Sequence, residues 1–235
     1  MGMMARTMSS AAGSPASSTA TGRSLERLGD GDLLRGYLDP GPGREEAFAE
    51  LVRRHGALVH GACRRRVRDA AQAEDAAQAV FVLLARKAGS LAARASLAGW
   101  LYQASEWVTR TMQRDARIRR RHERAAASRE ASPAEEAGGL REVLDEALGA
   151  LKPRDREALV LHYLEGLPQQ QAAARLGLRH DAYRQRLGRA LERMKTHLAA
   201  SGRVYAGSAL GAALLEVARA DGRRGYGPRG PRPRR

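Results

Sequence analysis

The chain has 235 residues, with 41 Lys and Arg against 26 Asp and Glu, which gives a formal net charge of +15. Hydrophobic residues make up 43% of it but aromatic residues only 4%, and because Ala and Leu lose little rotamer freedom in helices, this composition favours an all-α protein. The single cysteine, Cys63, excludes an intramolecular disulfide framework and a multi-cysteine zinc site. The longest apolar-leaning stretch, 204–218, is shorter than the ~20 residues that cross a bilayer, so we expect no membrane insertion.

The large positive charge favours polyanions as partners. Phosphates that bind Lys and Arg release counterions, which supplies affinity independent of nucleotide sequence. The alternative explanation is a set of basic tails combined with a high genomic use of arginine. The position of the charges along the chain therefore decides between the two.

The first 24 residues differ in composition from the rest. Residues 1–24 contain no acidic residue and no hydrophobic run, so we expect a disordered tail. They also lack the apolar segment of a secretory signal, and we therefore expect a cytoplasmic protein. Helical periodicity begins after this tail and defines a first domain over residues 25–123.

Two helices of this domain follow from its apolar pattern. Apolar residues recur every three or four positions from Phe48 to Cys63, which predicts one continuous amphipathic helix. A second helix is predicted from about Asp69 to Lys87, with Gly89 as its C-terminal stop.

The third helix of the domain starts after Ser96, a good N-cap, and runs into a cationic tract. One face of the helix is predicted to carry Leu97, Trp100, Leu101, Ala104, Trp107, Val108, Thr111 and Met112. Aromatic side chains beside arginines can stack on single-stranded bases while the cations follow the backbone. The alternative is that the two Trp side chains belong to the core.

A change in composition separates a second domain from the first. Residues 124–138 lose periodicity and are predicted to form a flexible linker. Residues 139–199 are predicted to be a smaller helical domain, in which one helix starts at Pro153 and ends near Gly166. Residues 200–235 form a C-terminal extension, with one short apolar helix and a disordered Arg-, Gly- and Pro-rich tail.

The second domain contains the strongest local signal in the chain. A short helix is predicted from Pro168 to Arg175, followed by a turn closed by Gly177. An amphipathic helix follows from about His180 to Ala199, which completes the pattern of a helix-turn-helix. Polar side chains on its outward face can reach base edges in a major groove. The alternative is an ordinary helical hairpin whose arginines face solvent.

The sequence gives little support for catalysis or for a metal site. His55, His60 and Cys63 lie close in sequence, but two of them are on the apolar stripe and no fourth zinc ligand is near. The chain has no recognisable catalytic triad, phosphate-binding glycine loop or carboxylate pair. We therefore expect no metal, no cofactor and no enzymatic activity.

Two parts of the chain resemble a known family. The stretches AFAELVRRHGALVHGACRRRV, AEDAAQAVFVLLARKA and SLAGWLYQA resemble region two of bacterial sigma-70 factors of the extracytoplasmic-function class. The stretch from LDEALGALKPRDRE to the end of the predicted recognition helix is similar to region four of that family. Together they cover about residues 30–198, in the family's order and with a linker between them.

The resemblance implies which residues bind which partner. The helix that docks on the β′ clamp helices of core RNA polymerase would carry Glu74, Asp75, Gln78 and Phe81. The residues that capture the minus-ten element and hold the adjacent phosphates would be Leu91, Trp100, Tyr102, Trp107, Arg110, Arg114, Arg117, Arg119, Arg120 and Arg121. The minus-thirty-five element would be read by Arg179, His180, Arg184, Gln185, Arg186 and Arg189. The resemblance also implies a contact of the second domain with the polymerase β flap and allows an anti-sigma factor as a further partner.

The sequence thus predicts an all-α protein with two small helical domains, a region 2 bundle and a region 4 helix-turn-helix, that directs core polymerase to promoter DNA and assists melting. One rival is a stand-alone helix-turn-helix regulator that acts without polymerase, which specific binding of the free protein to duplex DNA would favour. A second rival is an RNA-binding or protein-interaction module, which salt-sensitive binding without sequence preference would favour. Trp107 stands where the family often has Asn, so the promoter preference of relatives does not carry over.

Overall fold

The structure, a computed structural model, describes residues 25–67, 69–127, 140–200, 202 and 207–222, and its regular elements are helical. In chain order the helices are α1 (Asp30–Leu38), α2 (Arg44–Arg66), α3 (Ala70–Leu91), α4 (Ala98–Ala127), α5 (Leu140–Ala150), α6 (Pro153–Leu159), α7 (Gln169–Arg175), α8 (His180–Ala200) and α9 (Gly207–Gly222). A π-helical turn, Val160–Leu164, continues α6. The all-α fold class is confirmed. The N-terminal tail, the stretch 128–139 of the predicted linker and the residues beyond 222 lie outside the described residues.

Helices α1 to α4 form a bundle around an aliphatic core. Its fully buried side chains include Leu33, Leu34, Leu51, Val80, Leu84, Leu97 and Leu101, each of which stabilises the fold by ~2 kcal/mol on burial. The predicted start of α3 is confirmed, because the Asp69 carboxylate accepts a hydrogen bond of 2.8 Å from the Gln72 amide. The predicted stop at Gly89 is wrong. The helix continues through this exposed glycine to Leu91, whose side chain is buried in the bundle.

The face of α4 was predicted correctly except at one aromatic residue. Leu101, Ala104 and Val108 are buried, whereas Trp107 is 60% exposed. Trp107 shares the outward stripe of the helix with Gln103 and Arg110, four positions before it and three after it. The placement of Trp107 on one face with these apolar residues is therefore wrong, since it sits one position beyond the edge of that face.

Helices α5 to α9 build a second bundle, organised by a buried arginine. The Arg156 guanidinium donates hydrogen bonds to the carbonyls of Leu148 (3.0 Å), Gly149 (2.8 Å) and Leu151 (2.7 Å) at the end of α5. The last carbonyls of a helix lack the amide four residues on as a partner, and that of Leu148 accepts in addition a 3.3 Å hydrogen bond from the Leu151 amide. Arg156 therefore caps this end of α5. Burial lowers the pKa of Arg156.

The two bundles share one hydrophobic core. Leu58 and Ala62 of α2, together with Ala98 and Tyr102 of α4, belong to the same buried cluster as the apolar residues of the second bundle. The contact is close, since a Cβ added to Gly99 would lie 3.0 Å from the Glu157 Cβ. The two domains are therefore packed against each other in this structure.

Among the helices that the structure describes, none combines the length and the apolar character needed to cross a bilayer.

Candidate polymerase and nucleic-acid interfaces

Helices α7 and α8 form a helix-turn-helix. Gly177 in the turn has φ +63°, a left-handed conformation that glycine adopts at little cost. Ala172 and Ala173 of α7 pack in one core with Tyr183 of α8, and the Tyr183 hydroxyl donates a 2.8 Å hydrogen bond to the Ala158 carbonyl. The small alanines let the two helices approach, while the tyrosine fixes α8 onto α6.

The predicted recognition residues lie on or beside the free face of α8. Five of the six are exposed, namely Arg179, His180, Arg184, Gln185 and Arg189. Arg186 is half-buried, at the edge of the apolar stripe. Arg184 lies 3.9 Å from Asp181 but stays 64% exposed, so this ion pair is weak and leaves the guanidinium free to bind DNA. The N-terminus of α8 adds the positive end of its dipole to the same surface.

The predicted polymerase-binding residues divide into exposed and buried ones. Glu74, Asp75 and Gln78 are exposed on one side of α3, whereas Phe81 is buried in the bundle. Val82 follows one turn after Gln78 on the exposed side and is 52% accessible. Val82 adds exposed apolar area beside the two acids, and its i+4 spacing from Gln78 is the signal in the sequence that points to it. We call Glu74, Asp75, Gln78 and Val82 the α3 face.

The predicted minus-ten residues also fall into two groups. Trp107, Arg110, Arg114 and Arg117 are exposed along α4. Leu91 and Tyr102 are buried and Trp100 is half-buried, packed against the core of the first bundle. The side chains of Arg119, Arg120 and Arg121 lie outside the described part of the structure.

Trp107 stands beside a shallow cavity between α4 and α5. The cavity is also lined by Gln103 and Glu106 of α4 and by Gly149 of α5. The Glu106 carboxylate pairs with Arg110 at 2.9 Å. An indole next to a guanidinium offers a stacking surface and a phosphate contact side by side, which is a suitable arrangement for an unpaired base.

Tyr102 has a different environment from the other predicted DNA contacts. It is fully buried and its hydroxyl donates a hydrogen bond to Asp145 of α5. Burial and the Asp145 charge raise the pKa of the phenol. Tyr102 therefore belongs to the contact between the domains in this structure and cannot reach DNA without their separation.

Two family models match the chain. The model for sigma-70 region 2 matches residues 51–123, and the model for sigma-70 region 4 matches residues 141–194.

Similar curated proteins are also sigma factors. RNA polymerase sigma factor CarQ of Myxococcus xanthus is 34% identical over 160 residues, which is 65% of this chain and 90% of that protein. Probable RNA polymerase sigma factor RfaY of Xanthomonas campestris is 32% identical over 169 residues, which is 66% of this chain but only 41% of that longer protein.

Solved structures give more distant matches. CnrH in complex with the cytosolic domain of CnrY is 25% identical, with a TM-score of 0.35, over 73% of this chain and 97% of that chain. Sigma factor RpoE in complex with the anti-sigma factor NepR, from Bartonella quintana, is 23% identical, with a TM-score of 0.30, over 64% of this chain and 95% of that chain. With regions 2 and 4 matched in order and CarQ aligned over nine tenths of its length, this chain belongs to the sigma-70 family, in its extracytoplasmic-function class.

Proposed function

We propose that this chain is a transcription initiation factor that binds core RNA polymerase and directs it to a restricted set of promoters. The observation that carries the proposal is the presence of both sigma regions in one chain, each with an exposed surface of matching chemistry. The chain supplies binding energy and the polymerase makes the bonds, so we assign it no catalytic step of its own. Its place of action is the cytoplasm, where polymerase and promoters are.

In this proposal the α3 face binds the polymerase. Glu74 and Asp75 are exposed, and within the described residues no ion pair involves them. Exposed acids without internal partners contribute to electrostatic recognition by a basic surface, and Val82 adds apolar area. The partner surface we assign is the β′ clamp helices. Phe81 acts from the bundle core, where it fixes the position of the face.

The recognition helix α8 reads the minus-thirty-five element in the major groove. The six residues assigned to this contact are Arg179, His180, Arg184, Gln185, Arg186 and Arg189. Arg184 and Arg189 can donate to base edges or phosphates, because their side chains are exposed. The β flap is the polymerase surface that we assign to this domain.

The outward stripe of α4 acts at the minus-ten element. Trp107 offers a stacking surface for a base that leaves the duplex, and Arg110, Arg114 and Arg117 hold the phosphates beside it. Capture of a flipped base offsets an unstacking cost of a few kcal/mol. Two modest DNA contacts in one chain gain strength when the polymerase fixes their spacing. The contributions of Leu91, Trp100, Arg119, Arg120 and Arg121, and the binding of an anti-sigma factor, stay predictions.

The recognition role of α8 is tested by run-off transcription from a promoter selected with the reconstituted holoenzyme. Arg184→Ala removes an exposed cation from the recognition face, whereas Arg154→Ala removes an exposed cation from α6. A lost base contact costs ~1–3 kcal/mol. We therefore expect Arg184→Ala to reduce transcription by roughly 5- to 150-fold when the promoter concentration is limiting, and Arg154→Ala to change it little. Equal activity of the two variants would overturn the assignment of α8.

A further inference from the structure

The closed arrangement of the domains conflicts with the spacing of promoter elements. The names of the minus-ten and minus-thirty-five elements place them about 25 base pairs apart, which is ~85 Å of duplex at ~3.4 Å each. A compact chain of this length has a diameter of only about 45 Å. Because α4 and α6 are in direct contact, the DNA-reading surfaces of the two domains cannot reach both elements together. The chain has to open.

One element bridges the two domains in the closed form. Helix α9, Gly207–Gly222, lies outside both matched sigma regions and packs against α2, the π-helical turn and α8. Its buried side chains, Leu210, Leu214 and Val217, belong to the same core as Leu58 of α2. Helix α9 therefore contacts both bundles through one apolar face.

The fit of α9 is close. A Cβ added to Gly211 would lie 3.1 Å from the hydroxyl oxygen of Tyr163, so the helix rests directly on the π-helical turn. Ala212 faces away from this contact and is exposed. The apolar face of α9 and the glycine at its contact with Tyr163 thus fit this helix to one position on the closed chain.

Buried polar groups beneath α9 join the same two bundles. His55 of α2 lies 3.0 Å from Asp30 of α1 and 2.9 Å from Glu165, which follows the π-helical turn. Asp145 of α5 pairs with Arg65 of α2 at 3.1 Å. These contacts define a specific interface, since buried ion pairs are costly unless both partners are in place.

We propose that α9 is an interdomain strap, which holds the two domains of this chain in a closed form and must leave the α2 surface before the chain can span a promoter. The inference rests on the proposed function for its consequence, but the strap itself is a property of the free chain. The segment that covers the α2 surface belongs to this same chain, so the closed form needs no partner. The C-terminal extension thereby sets how much of the free protein is competent for promoter binding.

The strap is tested by small-angle scattering of the full chain. Leu214→Asp places a charge in the buried face of α9, and Ala212→Asp places the same charge on its exposed face. We expect Leu214→Asp to raise the radius of gyration by about a quarter, as two separated domains would, while Ala212→Asp matches the wild type. Circular dichroism checks that the helices persist, and Leu214→Ala is the milder variant if the charge prevents folding. An unchanged radius in a folded Leu214 variant overturns the proposal.

A crosslink tests the functional consequence. Cysteines at positions 99 and 157 would have Cβ atoms about 3.0 Å apart, within ~1 Å of the usual disulfide spacing of ~3.8 Å. We expect oxidised Gly99→Cys/Glu157→Cys to lose at least ten-fold in promoter-directed transcription and to recover with dithiothreitol, whereas Gly99→Cys alone does not respond. Full activity of the crosslinked chain overturns the proposal. If even the wild type and the reduced variants fail to transcribe, the proposed function fails, while the scattering result still decides the strap.

Discussion

The charge on His55 is expected to make the stability of the chain depend on pH above neutrality. Both ring nitrogens lie at hydrogen-bond distance from carboxylates, Nε2 at 3.0 Å from Asp30 and Nδ1 at 2.9 Å from Glu165. Only the protonated imidazole can donate from both nitrogens. Burial alone would disfavour this charge, but the hydrogen bonds to the two carboxylates and the negative charges of these carboxylates together outweigh it and raise the pKa of His55 to about 9.

The size of the His55 contribution to stability, and its direction with pH, follow from this shift in the pKa. A rise of the pKa from 6.5 to about 9 corresponds to about 3 kcal/mol of stability. Because the folded pKa is the higher one, this contribution is fully present below about pH 6.5 and is lost as the pH rises through about 9. Asp30 stays ionised over the whole range. Burial alone would raise its pKa, but the hydrogen bond and the charge of His55, the hydrogen bond from the Leu97 amide and the Arg175 charge together hold the pKa well below its usual value.

The assay is urea unfolding at several pH values between 6 and 10. The wild type is expected to lose about 3 kcal/mol of unfolding free energy over this range through His55. His55→Gln keeps hydrogen-bonding atoms without the titration, so it should be less stable at pH 6 and should lose less unfolding free energy than the wild type as the pH rises. Other groups that titrate, Cys63 among them, contribute equally to both chains and cancel in the comparison. Parallel pH profiles for the two chains would refute the assigned charge on His55.

Three further outcomes follow from single sites. Gly177→Ala should lower the unfolding free energy by ~1–2 kcal/mol, because φ is +63° there. Gly188 lies in open space on α8, so Gly188→Ala should raise the unfolding free energy by up to ~1 kcal/mol. Similar effects of the two substitutions in urea unfolding would contradict the turn geometry. Tyr102→Phe should cost ~1–2 kcal/mol in the same assay, since the buried hydrogen bond to Asp145 is lost, and a neutral effect would mean that the contact is not made. Cys63 should not react with a thiol reagent at pH 8 until urea unfolds the chain, because burial raises its pKa to about 11; prompt labelling of the folded protein would show that this core opens.

Much of the fold could be predicted from periodicity and capping residues. Pro153 begins α6 and Asp69 caps α3 as expected, and α8 starts at His180. The stop at Gly89 failed because glycine is only a weak breaker when the next turn still buries an apolar residue, here Leu91. The packing of one domain on the other could not be predicted, because the stripe on α2 looks the same whether it faces its own bundle or another.

The part of the candidate site that could be predicted is the helix-turn-helix, because it is a local pattern. The helix-turn-helix and its exposed arginines depend on spacing within about thirty residues. Tyr102 lies in the stretch that resembles the minus-ten region, and local spacing could not predict its burial beside Asp145, which is 43 positions away in the chain. Val82 was missed because the residue beside it, Phe81, carried the resemblance, and only the structure shows which of the two is exposed.

Polymerase binding through the α3 face is tested most directly by gel filtration of the purified chain with bacterial core RNA polymerase at micromolar concentrations. The wild type is expected to co-elute with the core enzyme. Asp75→Arg should abolish or strongly reduce this binding, whereas Glu46→Arg makes the same change of charge at an exposed position of α2 and should bind normally. Failure of the folded wild-type chain to co-elute, or equal binding by both variants, would contradict polymerase binding through the α3 face.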